Sequence, residues 1–134
     1  MKLLIVEDNS LVRQMLRRLV ADLAEDISEC GDGAEAVTRY SQERPDCVLM
    51  DLCLPGLNGI VATKQIRAMD PAARIFIVTN CDEAGVREAA QAAGACGYVL
   101  KENLLELRQQ LRFELAHGTI QTTNRPPAEK GTIQ

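Results

Sequence analysis

The sequence of 134 residues has the length of one domain, and its hydrophobic fraction of 46% is ordinary for a globular protein. A formal net charge of −4 argues against a nucleic-acid-binding surface on this domain, because phosphate contacts need a basic field. The five cysteines are odd in number and form no C-x-x-C pair, which argues against a disulfide framework and a zinc module. No apolar run reaches membrane-spanning length, and acidic residues follow the first apolar run too soon for a signal peptide. We therefore expect a cytoplasmic protein with reduced thiols and no membrane partner.

The first part of the chain alternates between apolar runs and amphipathic stretches. Lys2–Val6 is an apolar run typical of a buried strand. Acids and helix-capping residues follow it, and apolar residues at helical spacing then continue as far as Leu23, which predicts a first helix over 11–23. A short mixed run at 27–30 predicts an edge strand, and a Gly-Asp-Gly turn separates it from a second helix predicted over 34–42.

The second part of the chain repeats this alternation. Cys47–Met50 is continuously apolar, as expected of a strand covered on both faces, and a third helix is predicted over 59–69. The remaining predicted elements are a strand over 74–78, an Ala-rich helix over 83–93 that stops at Gly94, a strand over 97–100, and a last helix that begins after the capping residue Asn103 and closes at Gly118.

This order of elements defines the predicted fold class. Strands that alternate with helices predict an α/β protein with a parallel sheet and helices on both faces. The length favours a doubly wound, flavodoxin-like sheet of five strands in the order 2-1-3-4-5 over a barrel. Periodicity stops after 118, so we expect one domain over 1–118 and a flexible C-terminal tail or linker over 119–134.

Polar residues follow four of the predicted strands, at the point where each strand ends. They are Glu7 and Asp8, Asp51, Thr79, and Lys101. The carboxyl ends of parallel strands lie along one edge of the sheet, so we expect these side chains to share a crevice. Clustered carboxylates suit Mg²⁺, and an aspartate can act as a nucleophile that forms an acyl phosphate. The pattern therefore indicates phosphoryl transfer at this edge.

The same residues stand in an order that is specific as a set. Glu7-Asp8 follows the first strand, Met50-Asp51 follows the third with Pro55 and Gly59 behind it, Thr79 follows the fourth, and Lys101 follows Tyr98 in the fifth. This set resembles the response-regulator receiver domain of two-component signal transduction. The resemblance runs from Lys2 to about Gly118.

The resemblance implies a role for each matched residue. Asp51 would accept the phosphoryl group, and Thr79 and Lys101 would contact that group. Mg²⁺ would be bound by Asp8, Asp51 and the backbone carbonyl of Cys53, with Glu7 acting mostly through metal-bound water. Tyr98 would be the switch aromatic that swings inward when Thr79 moves.

The resemblance also implies partners. The phosphoryl donor would be a sensor histidine kinase or a phosphotransfer protein of a phosphorelay. The receiver would act on a downstream output domain or protein, and phosphorylation-dependent homodimers are a further implied partner. Such a domain is a phosphoacceptor signalling module rather than an enzyme, although it assists its own phosphotransfer and autodephosphorylation.

The sequence departs from the family pattern at the site. Glu102 follows Lys101 where many members have proline, which leaves the geometry of that peptide bond open. Asn80 follows Thr79 where a small residue is usual, and Cys53 and Cys81 stand at loop positions that resemble those tuning acyl-phosphate lifetime. These departures concern kinetics more than the basic chemistry.

Four alternatives stay open at this stage. The chain could be the receiver module of a longer DNA-binding transcription factor, or a pseudo-receiver that binds partners without being phosphorylated. A phosphatase of the haloacid-dehalogenase type also uses an Asp after a strand, but that class needs a second Asp where this chain has Cys53. The plainest alternative is that Glu7 and Asp8 only cap the first helix and that Tyr98 packs at the surface.

Overall fold

The computed structural model of the protein describes residues 1–116. The predicted tail over 119–134 and the predicted helix end at Gly118 lie outside these residues. The elements, in chain order, are β1 (Lys2–Val6), α1 (Ser10–Val20), β2 (Asp26–Cys30), α2 (Gly33–Glu43), β3 (Cys47–Met50), α3 (Gly59–Met69), β4 (Ile75–Thr79), α4 (Ala84–Ala93), β5 (Gly97–Leu100), a single 3₁₀ turn (Lys101–Asn103) and α5 (Leu104–Ala116).

The five strands form one parallel sheet in the order β2-β1-β3-β4-β5, as the sequence predicts. Val6 lies opposite Met50 at the end of the β1–β3 pair, and Thr79 lies opposite Leu100 at the end of the β4–β5 pair. The carboxyl ends of the central strands therefore meet at one edge. This is the edge at which the polar residues were predicted to gather.

Alternate residues of each strand point to opposite faces of the sheet, and each face is covered by its own helices. On one face, Leu4, Val48 and Ile77 pack with Tyr40 of α2 and Ile66 of α3. On the other face, the apolar cluster comprises Leu3, Ile5, Leu49, Phe76 and Val78 of the sheet, Leu16 and Val20 of α1, and Leu107 and Leu111 of α5. The prediction of helices on both faces is confirmed.

Helix boundaries differ from the predicted ones where tertiary contacts intervene. Helix α1 ends at Val20 rather than at Leu23, because the chain must turn there to enter β2 at Asp26. Leu23 still packs against the apolar cluster on that face, which explains why the apolar spacing continues past the end of the helix.

The last helix also starts differently from the prediction. Asn103 does not stand outside the helix as its cap but lies in the 3₁₀ turn that runs directly into α5. The Lys101–Glu102 peptide is trans, like every other peptide bond in residues 1–116. Among these residues, no helix combines the length and apolarity needed to cross a bilayer.

Candidate functional site

Asp51 is the first residue after β3, and the backbone on both sides of it is fixed. Its amide donates to the carbonyl of Val6 at 3.0 Å, and its carboxylate Oδ1 accepts the amide hydrogen of Leu52 at 2.8 Å. Gly59 at the start of α3 packs so tightly that a Cβ there would lie 2.1 Å from the Asp51 carbonyl oxygen. The Asp51 residue is only 5% exposed. The loop therefore holds a buried carboxylate in one orientation.

Lys101, directly after β5, crosses the sheet edge to reach two buried carboxylates. Its Nζ lies 2.9 Å from Oε1 of Glu7 and 3.3 Å from Oδ2 of Asp51. Burial disfavours the charged ammonium, but the short contacts with Glu7 and Asp51 and the negative charges of these carboxylates together outweigh burial and raise the pKa of Lys101. The amine is therefore an ammonium at neutral pH, next to the Asp51 carboxylate.

Glu7 is 1% exposed, and its two oxygens differ in how well they are satisfied. Oε2 accepts the Asn9 amide at 3.1 Å, whereas Oε1 is buried and has no hydrogen-bond partner of good geometry within residues 1–116, despite its ion pair with Lys101. Burial, with a smaller contribution from the charge of Asp51, raises the pKa of Glu7 in spite of Lys101. One ammonium divided between two buried carboxylates does not fully compensate either of them.

Asp8 completes the acidic cluster at the surface. It is exposed, and one carboxylate oxygen each from Glu7, Asp8 and Asp51 lies within 4.8 Å of the others. The incompletely satisfied oxygen of Glu7 and the carboxylates of Asp8 and Asp51 together form a set of hard oxygen donors. A divalent cation would satisfy this set. These residues therefore fit a metal ion. Helix capping does not explain them, because Asn9 caps α1 through its side chain.

The structure places the other predicted residues around this cluster. Thr79 ends β4, beside β3, and is 1% exposed, and its Oγ1 accepts the Cys81 amide at 3.4 Å. Cys53 lies two residues after Asp51 with an exposed side chain, and metal binding by its backbone carbonyl stays a prediction. The roles assigned to Thr79 and Lys101 toward a phosphoryl group likewise stay predictions.

Tyr98 is largely interior rather than a surface residue. It is 9% exposed, and its hydroxyl donates to the carbonyl of Cys81 at 2.7 Å. The guanidinium of Arg87 lies over its ring, 4.5 Å from the centroid, and burial raises the pKa of the phenol to about 12. Tyr98 is thus tied to the loop that follows Thr79, and its predicted movement stays a prediction.

Three contributors to the site were missed by the sequence analysis. The Leu52 amide orients Asp51, Arg87 stacks on Tyr98, and Arg13 donates to the carbonyl of Glu7 at 2.7 Å. Arg87 has no local signal, because it reaches a residue on another element. The signal for Arg13 is its position one turn beyond the capping residue Asn9, close to the loop that carries the acids.

Comparison with known proteins identifies the class of protein that this fold and site define. Residues 3–112 match the family model of the response regulator receiver domain. The crystal structure of a LuxR-family two-component response regulator from Aurantimonas sp. SI85-9A1 superimposes with a TM-score of 0.81 at 39% identity, covering 87% of this chain and 85% of that one. The chain belongs to the response regulator receiver domain family, a family of signalling domains.

Two curated relatives differ in how much of their length is matched. Response regulator GacA of Pseudomonas syringae pv. syringae is 33% identical over 118 residues, which cover 86% of this chain but only 55% of GacA. Chemotaxis protein CheY of Halobacterium salinarum is 35% identical over 100 residues, which cover 75% of this chain and 83% of CheY. The chain thus spans about half the length of the GacA regulator and most of the length of CheY.

Proposed function

We propose that this protein is a phosphoacceptor receiver in which Asp51 takes a phosphoryl group from a phosphohistidine in a Mg²⁺-dependent reaction. The donor is a sensor histidine kinase or a phosphotransfer protein. The observation that carries the proposal is the buried Asp51 carboxylate, fixed by the Leu52 amide, with an ammonium at 3.3 Å and two further carboxylates close by.

The chemistry follows from these groups. A carboxylate oxygen of Asp51 attacks the phosphorus, and an O–P bond forms as the P–N bond of the donor breaks, with the electron pair passing to the imidazole nitrogen. Lys101 balances negative charge on the phosphoryl oxygens as the bond forms, and the Thr79 hydroxyl donates a hydrogen bond to one of them. No proton has to be removed from Asp51, because its carboxylate is already the nucleophile.

The acidic cluster supports Mg²⁺ as the cofactor. Asp8 and Asp51, with the Cys53 backbone carbonyl, would hold the ion directly, and Glu7 would act mostly through bound water. When bound, the ion supplies positive charge for the oxygens of the transferring group. The incompletely satisfied Oε1 of Glu7 is the structural feature that favours a cation here.

The signal would leave through the surface around Thr79, α4 and Tyr98. Because Tyr98 already bonds to Cys81 in the loop after Thr79, a change at Thr79 would be transmitted to the tyrosine. We propose an output domain beyond a linker over 119–134, or a separate output protein, with homodimers formed on phosphorylation. The domain would span 1–118 and act in the cytoplasm, where its five free cysteines stay reduced.

The test is the intact mass of the full chain after incubation with a small phosphodonor and Mg²⁺. We expect a single phosphoryl adduct that disappears with EDTA and in Asp51→Asn, because the asparagine amide is not a nucleophile of comparable strength. A folded protein that forms no adduct with several donors, and that does not bind beryllofluoride, would overturn the proposal and leave a pseudo-receiver that only binds partners.

A further inference from the structure

Asp8 is the exposed carboxylate of the acidic cluster, and no side chain in residues 1–116 holds it in place. Asp8 is exposed, and its carboxylate accepts no hydrogen bond from any residue in 1–116. Its position is therefore set by the backbone of the loop between β1 and α1. Any group that fixes the Glu7–Asp8 peptide also fixes where the Asp8 carboxylate can reach.

One side chain performs this function from the neighbouring helix. Arg13 of α1 donates through Nη1 to the carbonyl oxygen of Glu7 at 2.7 Å, so it holds the peptide that joins the two acids. The amide of Glu7 is held on its other side by the carbonyl of Cys30 at 3.0 Å. The backbone of Glu7 is thus bonded at both ends, and Arg13 supplies the end nearer Asp8.

Arg13 is itself oriented by a residue on β2. Its Nε lies 3.2 Å from Oε1 of Glu29, and the second oxygen of Glu29 accepts Nη1 of Arg17 at 2.6 Å. Arg13 and Glu29 are both only about a quarter exposed, at 25% and 28%, so the pair is partly shielded from solvent. Glu29 therefore holds the guanidinium in the direction from which one nitrogen reaches the Glu7 carbonyl.

We infer that Arg13, held by Glu29, is a positioning residue for the divalent cation, which fixes the Glu7–Asp8 peptide without touching the ion. This inference rests on the proposed Mg²⁺ site. It runs against simple electrostatics, because a cationic guanidinium beside a cation site repels the ion. Removal of the Arg13 charge should weaken Mg²⁺ binding if positioning dominates and tighten it if repulsion dominates. The sign of the change in Mg²⁺ affinity therefore tests the inference.

The test is Mg²⁺ affinity of the full chain by isothermal titration calorimetry, without any phosphodonor. Arg13→Met keeps an unbranched apolar side chain, although a shorter one, and removes the guanidinium donors. We expect it to weaken Mg²⁺ binding about tenfold, as loss of outer support for a metal ligand does. Loss of the charge alone would instead tighten binding by about twofold. Arg13→Lys keeps the charge and one donor, and its affinity should fall between those of the wild type and Arg13→Met.

The matched control is Arg18→Met on the same helix. Arg18 is exposed, and its side chain forms no ion pair within residues 1–116, so its removal makes the same charge change without touching the loop. We expect Arg18→Met to bind Mg²⁺ as tightly as the wild type or slightly more tightly. If urea denaturation shows that Arg13→Met is poorly folded, Arg13→Gln takes its place, because it also removes the positive charge, and we expect it also to weaken binding.

The outcomes separate this inference from the proposed function. Wild-type or tighter Mg²⁺ binding by Arg13→Met, or by Arg13→Gln where that variant replaces it, would overturn the positioning role alone. A wild-type protein that binds no Mg²⁺ would overturn the metal proposal and this inference with it. Equal weakening in Arg18→Met would show a general effect of the helix and would also overturn the inference.

Discussion

The side chain of Tyr98 is held by two contacts, one at its hydroxyl and one over its ring. The hydroxyl donates to Cys81 in the loop after β4, and Arg87, which covers the ring, is itself paired with Asp82 of the same loop at 3.2 Å. A cation over an aromatic face stabilises that arrangement by about 0.5–1 kcal/mol at exposed sites. The loop that follows Thr79 is therefore linked to Tyr98 by two independent contacts.

Ionisation of Tyr98 tests this burial. The folded pKa of about 12 lies above the ordinary value of about 10 for a phenol, because burial disfavours the phenolate. The group's contribution to stability is therefore fully present below about pH 10 and is lost as the pH rises through about 12. Absorbance titration of Tyr40→Phe, in which Tyr98 is the remaining tyrosine, should show a late phenolate transition, and Tyr98→Phe should lose the absorbance change of one phenol relative to the wild type. Ionisation of Tyr98 near pH 10 in folded protein would contradict the prediction.

The junction between β3 and α3 is the element that shapes the site. The chain leaves the sheet at Asp51, passes through the loop and re-enters regular structure at Gly59, whose amide donates to the carbonyl of Leu52 at 3.1 Å. Asn58 caps the helix through its side chain. The close approach at Gly59 means that the glycine is needed for space, not for an unusual backbone angle.

Two glycine substitutions distinguish the need for space at Gly59 from the general effect of glycine on helix stability. Gly59→Ala places a Cβ 2.1 Å from the Asp51 carbonyl oxygen, and we expect it to lower the free energy of unfolding by about 1–3 kcal/mol. Gly85→Ala in α4 meets nothing within 4 Å, and we expect it to raise that free energy by about 0.5–1 kcal/mol. Urea unfolding at constant slope measures both. Changes of the same sign in the two variants would refute this account.

At the scale of the whole molecule, the sheet contributes residues to two apolar clusters, one on each of its faces. Tyr40, Ile66 and Ile77 belong to one cluster, and Leu16, Leu49 and Leu107 belong to the other. On the second face, Arg108 of α5 donates to the carbonyl of Leu19 in α1 at 2.8 Å and makes two bonds of 2.7 Å to the carboxylate of Asp22, just after α1. The guanidinium lowers the pKa of that carboxyl to about 2. The strands whose carboxyl ends carry the site are therefore packed against both apolar clusters.

Truncation of a central strand residue tests how much the clusters contribute. Leu49 is 1% exposed, and we expect Leu49→Ala to lower the free energy of unfolding by about 2–5 kcal/mol, because it removes buried apolar contacts and leaves a cavity. Leu105 is 72% exposed, and Leu105→Ala should change it by no more than about 0.5 kcal/mol. Chemical denaturation of the two variants provides the comparison, and equal losses would count against the assignment of Leu49 to the core.

The sequence by itself determined the order of the elements, the sheet class and the acids at the strand ends. Apolar periodicity and capping residues are local properties, and parallel connectivity then forces the strand ends to one edge. These properties were enough to predict that Glu7, Asp8, Asp51, Thr79 and Lys101 lie at that edge. They were not enough to show which charges pair there.

Only the tertiary structure decided the contacts made across that edge. It divided one ammonium between Glu7 and Asp51, linked Tyr98 to the carbonyl of Cys81, and set Arg13 against the carbonyl of Glu7. It also ended α1 before Leu23. Each of these contacts depends on strand register and helix docking, which place residues far apart in sequence within a few ångströms, and no local pattern encodes that placement.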